Sequence, residues 1–285
     1  WRPTIEELIL FIDWPPFFRA WELAGKYPAI LEDEVVGAEA TKLFAEAKAI
    51  LNQIVADKAF EAKGVSGLFK AESNLNTVHT FGENGEALVT FEFMRQQRKM
   101  GNGIPNLALS DFVAPKGKNG HMGCFAVTIH GAQDLASEYE KDHDDYHAIM
   151  VKILADRLVE AFAEYLHQQV RKLEWGYAEN ESLDNQLLIR EKYQGIRPAP
   201  GYPACPDHTE KQKIWDLLDV QQNIGAELTE SFAMYPAASV SGYYFGPKES
   251  KYFAVGHIGE DQLESIAERK NEPLEKVRKW LRPNL

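Results

Sequence analysis

Cysteine is scarce in this chain of 285 residues: Cys124 and Cys205 form no Cys-x-x-Cys pair and no quartet that would hold zinc. A reducing cytoplasm is the expected setting. Long apolar runs are lacking as well. No stretch reaches the roughly 18 to 20 residues needed to span a bilayer, and no signal peptide leads the chain, so no membrane partner is expected. Basic excess is missing: 31 lysines and arginines stand against 43 acidic residues, a net charge of −12. That balance argues against a general nucleic-acid partner, leaving only local basic patches. Serine elbows, Walker loops and paired-carboxylate motifs are absent, and the GNG at 101–103 lacks the third glycine and following helix of a dinucleotide fingerprint. Acid–base and nucleotide enzymes of the usual kinds lose their signatures here. The first residue is Trp1 rather than Met, which suggests a processed product or a piece of a longer polypeptide.

What is present is a chain with 45% hydrophobic residues, enough for a sizeable core. Thr4 and Glu7 form a capping box ahead of an apolar run, so a short helix is expected to end before Asp13. Ala40, Leu43, Phe44, Ala47, Ile50, Leu51, Ile54 and Val55 recur at helical spacing and predict a core-facing helix over 39–58. Between 62 and 130 the period changes: GVSGLFKAE, TVHTF, EALVTFEF and GCFAVTIH read as strands, with a hairpin turn at Asn84 and Gly85. No proline or glycine occurs from Glu138 to Trp175, which predicts one long helix of about 50 Å. ASVSGYYF and KYFAVGHI predict a second hairpin, and two short helices close the chain. Two separated strand groups with helices around them imply an α+β domain with an antiparallel sheet.

The densest signal is RPAPGYPACPDHTEK at 197–211. Pro198, Pro200, Pro203 and Pro206 forbid a helix and disfavour a central strand, so an ordered extended loop is expected. Such a loop must satisfy its backbone groups outside a ladder, by a ligand or as a rigid connector. Arg197 offers a planar fork to a carboxylate, Gly201 lets backbone approach closely, and Tyr202 presents a flat face. His143 and His147, with Asp144 and Asp145, have metal-like spacing, but no zincin glutamate follows and a solvated face is the plainer reading. Cys205 has no neighbouring base and reads as structural. Metal ligands and catalytic residues are therefore not assigned.

Together with EKYQG before it, the proline loop resembles the central motif of the C-terminal activation domain of cobalamin-dependent methionine synthase. IDWPPFFRAWELAGKYPAIL, HDDYHAIMVKILADRLVEAFAEYLH and SGYYFGPKESKYFAVGHI follow in the order and spacing of that family, so the resemblance covers nearly the whole chain. It implies a single helmet-like or C-shaped α+β domain over 1–285, with a bent antiparallel sheet, a long helix and peripheral helices. It further implies a C-terminal module of a larger cytoplasmic methyltransferase of methionine biosynthesis. The implied task is to bind S-adenosylmethionine and present its methyl group for reductive remethylation of cob(II)alamin. The partners are the cobalamin-binding domain of the same polypeptide, which holds the cobalamin, and a flavodoxin-type reductase.

Carried over by position, the resemblance implies ligand contacts at Asp13, Arg197, Tyr252 and Phe253, with backbone of Ala199, Gly201 and Tyr202 close by and Glu160 and Glu191 as candidates for the ammonium group. Phe253 stands where a tyrosine is expected, so a hydroxyl contact there is lost. The cobalamin motif Asp-x-His-x-x-Gly is approached only by Asp145 to Met150, with Met150 in place of glycine, so cobalamin is not expected on this chain in that mode. The alternative function is a docking module that binds no small molecule. Basic clusters at Arg95, Arg98 and Lys99 with Lys116 and Lys118, and at Lys276, Arg278, Lys279 and Arg282, are candidate docking charges for an acidic reductase.

Overall fold

The computed structural model describes residues 1–99 and 101–285. Helices α1 (Ile5–Ile9) and α2 (Pro15–Ala20) open the chain, followed by α3 (Gly37–Ala56). The capping box forms as read: Thr4 Oγ1 accepts from Glu7 N at 3.2 Å and Glu7 carboxylate from Thr4 N at 2.7 Å. Strands β1 (Glu61–Asn74), β2 (Thr77–Phe81), β3 (Ala87–Glu92) and β4 (His121–His130) come next. After α4 (Ala132–Lys141), α5 (Asp145–Gln169), α6 (Asn185–Ile189), α7 (Glu210–Leu218) and α8 (Val220–Ile224) come the short pair β5 (Glu227–Leu228) and β6 (Met234–Tyr235), then β7 (Ser239–Tyr244). The helices α9 (Glu260–Lys270) and α10 (Leu274–Leu281) follow.

The main sheet has five strands in the order β3-β2-β1-β4-β7, every neighbour antiparallel. It is covered on both faces, which is why β4 reads as an almost unbroken apolar run rather than an alternation. Phe125, Val127 and Ile129 face a core built with α1, α2, α3 and α5, whereas Met122, Cys124 and Ala126 face a second core with α7 and α8. Tyr243 and Tyr244 split in the same way, one to each core. Glycine at 64 permits α5 to approach the sheet, since a Cβ there would meet Phe162 Cζ at 2.7 Å. A third, smaller core joins α9 and α10.

Two expectations are corrected. The helix read over 138–175 is interrupted: His143 takes a left-handed φ of 57° between α4 and α5. Asp144 then caps α5 by accepting from His147 N at 3.1 Å. Neither glycine nor proline marks this break, because an Asp N-cap suffices to restart a helix once one residue accepts the left-handed region. α5 is therefore 25 residues, about 37 Å long, and ends in a π turn over Val170–Glu174.

The second hairpin also does not form, for residues 251–258 contain no strand. The outer edge of β7 is already taken. Phe245 exchanges backbone bonds with Ile196 at 2.9 and 3.1 Å, and Tyr243 N donates to Pro198 O at 2.9 Å. The proline loop thus seals the sheet edge, a place where residues without an N–H are tolerated. Val255 N, deprived of β7, donates to Pro203 O at 2.8 Å.

Candidate ligand-binding cleft

Helix α5 supplies one wall of a cleft. Arg157, Glu160, Ala161 and Glu164 recur at spacings that share a helical face. They line a cavity of about 210 Å³ with Phe11 and Asp13 from the α1–α2 connection, Leu188, Ile189 and Glu191 around the end of α6, and Arg197 at the start of the proline loop. Sealing the sheet edge with the loop is what fixes Arg197 against α5.

Arg197 is held from several sides. Its Nη2 lies 2.8 Å from a Glu164 oxygen, and its Nη1 donates to Tyr193 Oη at 2.7 Å and faces His167 Nδ1 at 3.4 Å. Its backbone N donates to Tyr252 Oη at 3.0 Å. Burial works against the cation, but Glu164 and the nearby phenols outweigh it and carry the guanidinium pKa above its usual range. His167 is fully buried, and burial together with the Arg171 and Arg197 cations pushes it well below the ordinary imidazole value. It is therefore neutral, stacked on Tyr244 at 5.0 Å with Nε2 lacking a partner. Arg171, 0% exposed, forms a fork on Glu181 at 2.9 and 2.6 Å and lies over the Tyr193 ring.

Several polar atoms here are left over. Asp13 Oδ1, Glu164 Oε1, His167 Nε2 and Arg171 Nη1 are buried without hydrogen-bond partners. Burial raises the Asp13 pKa, opposed by Arg157 and Arg19, and burial likewise raises Glu191, opposed by Arg197. Orphaned buried groups cost stability unless something binds them, so the two that line the cavity, on Asp13 and Glu164, mark a place for a polar ligand.

Of the residues singled out in the sequence, Asp13, Glu160, Glu191 and Arg197 line this cavity together. The others do not line it. Ala199 is buried, and Gly201 turns the loop with φ 93°, its N donating to Cys205 O at 2.7 Å and its Cα side closed by the His208 ring. Tyr202 is 57% exposed, within electrostatic reach of Glu160 and Arg157. Tyr252 braces Arg197 through its hydroxyl, whereas Phe253 packs its ring on Phe112 at 6.3 Å. Arg157, Glu164, His167 and Arg171 escaped the sequence reading, although the first two share the spacing of Glu160 on α5.

A larger cavity of about 520 Å³ lies elsewhere, between β3, α7 and the α9–α10 pair. Its charges are mostly paired with one another: Lys270 Nζ meets Asp207 at 2.6 Å, Thr209 Oγ1 at 2.6 Å and Glu210 at 2.8 Å, and Arg269 pairs with Glu92, leaving only its buried Nε without a hydrogen-bond partner among the described residues lining it. Other candidates also resolve locally. His147 Nδ1 bonds Asp144 at 2.6 Å while His143 sits on the helix break, so the two imidazoles do not share a helical face. Cys205 is buried, its thiol pKa raised by burial and then by Glu210 and Asp207. Arg95 is a fork on Asp111 at 2.6 and 2.7 Å rather than an uncommitted docking charge.

Fold and cleft define a single α+β domain with a charged cavity of about 210 Å³. Residues 4–271 match the family described as "Vitamin B12 dependent methionine synthase, activation domain". A crystal structure described as the MetH reactivation domain bound to AdoHcy is 53% identical, with a TM-score of 0.98 over 100% of this chain and 89% of that one. The chain belongs to the activation-domain family of vitamin B12-dependent methionine synthase. No helix among the described residues is long and apolar enough to cross a membrane.

Proposed function

We propose that this chain binds S-adenosylmethionine in the α5 cleft and presents its methyl group for reductive reactivation of cobalamin. It does so as a module beside a cobalamin-binding domain of the same polypeptide, with a flavodoxin-type protein as electron donor. One observation carries the reading: four carboxylates, Asp13, Glu160, Glu164 and Glu191, face two guanidiniums, Arg157 and Arg197, in the cleft. S-adenosylmethionine has a sulfonium, an ammonium and a carboxylate, and that acidic surplus suits its net positive charge. Arg197 takes the carboxylate, and Asp13, with its free oxygen, Glu160 and Glu191 take the cationic end. The bound AdoHcy of the related structure supports a ligand of this type.

The stretch Asp145–Met150 does not fit cobalamin in the Asp-x-His-x-x-Gly mode, since it lies in the first turns of α5 and His147 is tied to Asp144. Cobalamin, held by its own domain, supplies a strong cobalt nucleophile toward the sulfonium methyl. The work left to this chain is to bind the ligand, hold it in line and keep its amino-acid end fixed. No proton moves in that step, which accounts for the missing acid–base motif.

Calorimetry with S-adenosylmethionine tests the reading. One ligand per chain is expected, and absence of binding would leave the docking-module alternative. Saturated with ligand, the isolated chain is expected to transfer no methyl to homocysteine, and turnover without a cobalamin protein would overturn the modular reading.

A further inference from the structure

Glu164 is the least exposed of the carboxylates in the cleft, at 6%, and beyond its share of the acidic surplus it has no ligand contact assigned above. One of its oxygens is 2.8 Å from Arg197 Nη2. The other, Oε1, has no hydrogen-bond partner and lies 3.9 Å from Arg171 Nη1, which has none either. Arg171 cannot follow Glu164, because its remaining nitrogens are committed to Glu181. Glu164 therefore stands between a guanidinium that is locked and one that belongs to the cleft.

We infer that Glu164 is the positioning residue for Arg197, holding the guanidinium in place for a ligand carboxylate, with Arg171 as the fixed counter-charge that keeps Glu164 there. The inference rests on the reading that the cleft takes S-adenosylmethionine. Arginine has many rotamers, and freezing them on binding costs affinity unless the free protein has already frozen them. Glu164 and Tyr193 do this through Nη2 and Nη1, and among the described residues Nε has no side-chain or backbone partner. Because Oε1 already faces Arg171, Glu164 keeps a cationic neighbour when Arg197 turns part of its charge to the ligand. A carboxylate this buried would otherwise be left unpaired.

The test compares two ligands on the 285-residue chain: S-adenosylmethionine and its decarboxylated analogue, which keeps the sulfonium and ammonium groups. Glu164→Gln is expected to weaken S-adenosylmethionine about tenfold, the scale of a charge-assisted hydrogen bond, while leaving the analogue's affinity unchanged. A purely structural role would weaken both ligands alike, and that result, or unchanged or tighter S-adenosylmethionine binding, would overturn the inference. Should the glutamine variant not fold, Glu164→Asp, which keeps the charge but withdraws it by one methylene, is read against the same pair: selective loss supports the assignment and equal loss overturns it. Wild-type chain that binds neither ligand would overturn the cleft reading and this inference together. A wild-type chain that binds both, with equal losses in the variant, removes only Glu164.

Discussion

The two charged cavities described above are built from the same materials and differ in how far those charges satisfy one another. In the larger one, half-buried Lys270 is surrounded by Asp207, Thr209 and Glu210, a closed set that ties the α9–α10 pair to the start of α7. In the smaller one, Glu164 and Asp13 each keep a buried atom unpartnered, as do Arg171 and His167, which lie against Glu164 and Arg197 outside the cavity lining. Cavity size alone would favour the larger one. A closed ion cluster fastens helices, whereas an open one holds back bonding capacity for something that arrives from outside.

The largest effect expected from this contrast is on the closed side. Lys270→Met leaves buried Asp207 without its cation and Glu210 with Lys213 alone, and is expected to lower unfolding free energy by about 3 to 5 kcal/mol in denaturant titration, with unchanged S-adenosylmethionine affinity. Loss of affinity in a folded Lys270 variant would break the division between the two regions.

Arg197→Ala comes next and acts on both quantities. Losing one charged hydrogen bond to the ligand, about 1.5 to 3 kcal/mol, weakens binding roughly ten- to a hundred-fold. Glu164 also loses its partner, so a stability cost of about 1 to 3 kcal/mol accompanies it, a cost that a surface-loop arginine would not have. Arg197→Lys is expected to recover only part of the binding, lacking the fork. Unchanged affinity in the alanine variant would take Arg197 out of the site.

A smaller effect follows from acid. Asp13 and Glu191 have pKa values raised by burial above their ordinary 3.8 and 4.5, so their ionised forms are disfavoured in the free protein. A cationic ligand favours ionisation, lowering both in the complex. Affinity is therefore expected to fall as pH drops through the raised values and to level off above them, with protons released on binding in that window. Calorimetry in buffers of different ionisation enthalpy reads the release directly, and Asp13→Asn should reduce it. For folding the sign is opposite: these raised carboxyls contribute stability at pH below their ordinary values and lose it as pH rises through the raised ones. The smallest effect is at the rim of the larger cavity, where Lys276→Ala breaks an exposed pair with Glu272 and should change stability by less than about 0.5 kcal/mol.

Much of the fold was legible because it is encoded locally. The stripe on α3, the capping box at Thr4 and the turn at Gly85 each follow from a few neighbouring residues. The failures have a common cause in distant competition. KYFAVGHI has strand composition, but the edge it would pair with is occupied by Ile196 and Pro198, which no local pattern reveals. The break at His143 depends on a conformation that its residue type permits without announcing. In the site, Arg197 was legible in the proline loop itself, whereas Asp13, Glu160 and Glu191 came from family resemblance. Arg157 and Glu164 share a helical face with Glu160, yet a polar face on a helix reads as solvated until α6 and the proline loop are seen to cover it. Arg171 was beyond reach, since a charged residue in a helix gives no sign that it will be completely buried.

The π turn at the end of α5 constrains how this chain tolerates changes in length. Inserting or deleting one residue in an α-helix rotates everything beyond it by about 100°. Between Arg157 and Glu164 such a change would turn cleft residues into the core and core residues into the cleft, so substitutions are admissible there and length changes are not. The wide turn over Val170–Glu174 is a different case, with one residue more per turn than its surroundings. Removing exposed Leu173 would let that turn tighten into ordinary α-helix, moving the chain beyond it back by one position while leaving Arg157 to Glu164 in register. The expected casualty is the approach of Glu181 to Arg171, and with it the anchorage beneath Glu164. Length variation among natural relatives should accordingly be absent from α5 and, where it occurs near the cleft, begin only after this turn.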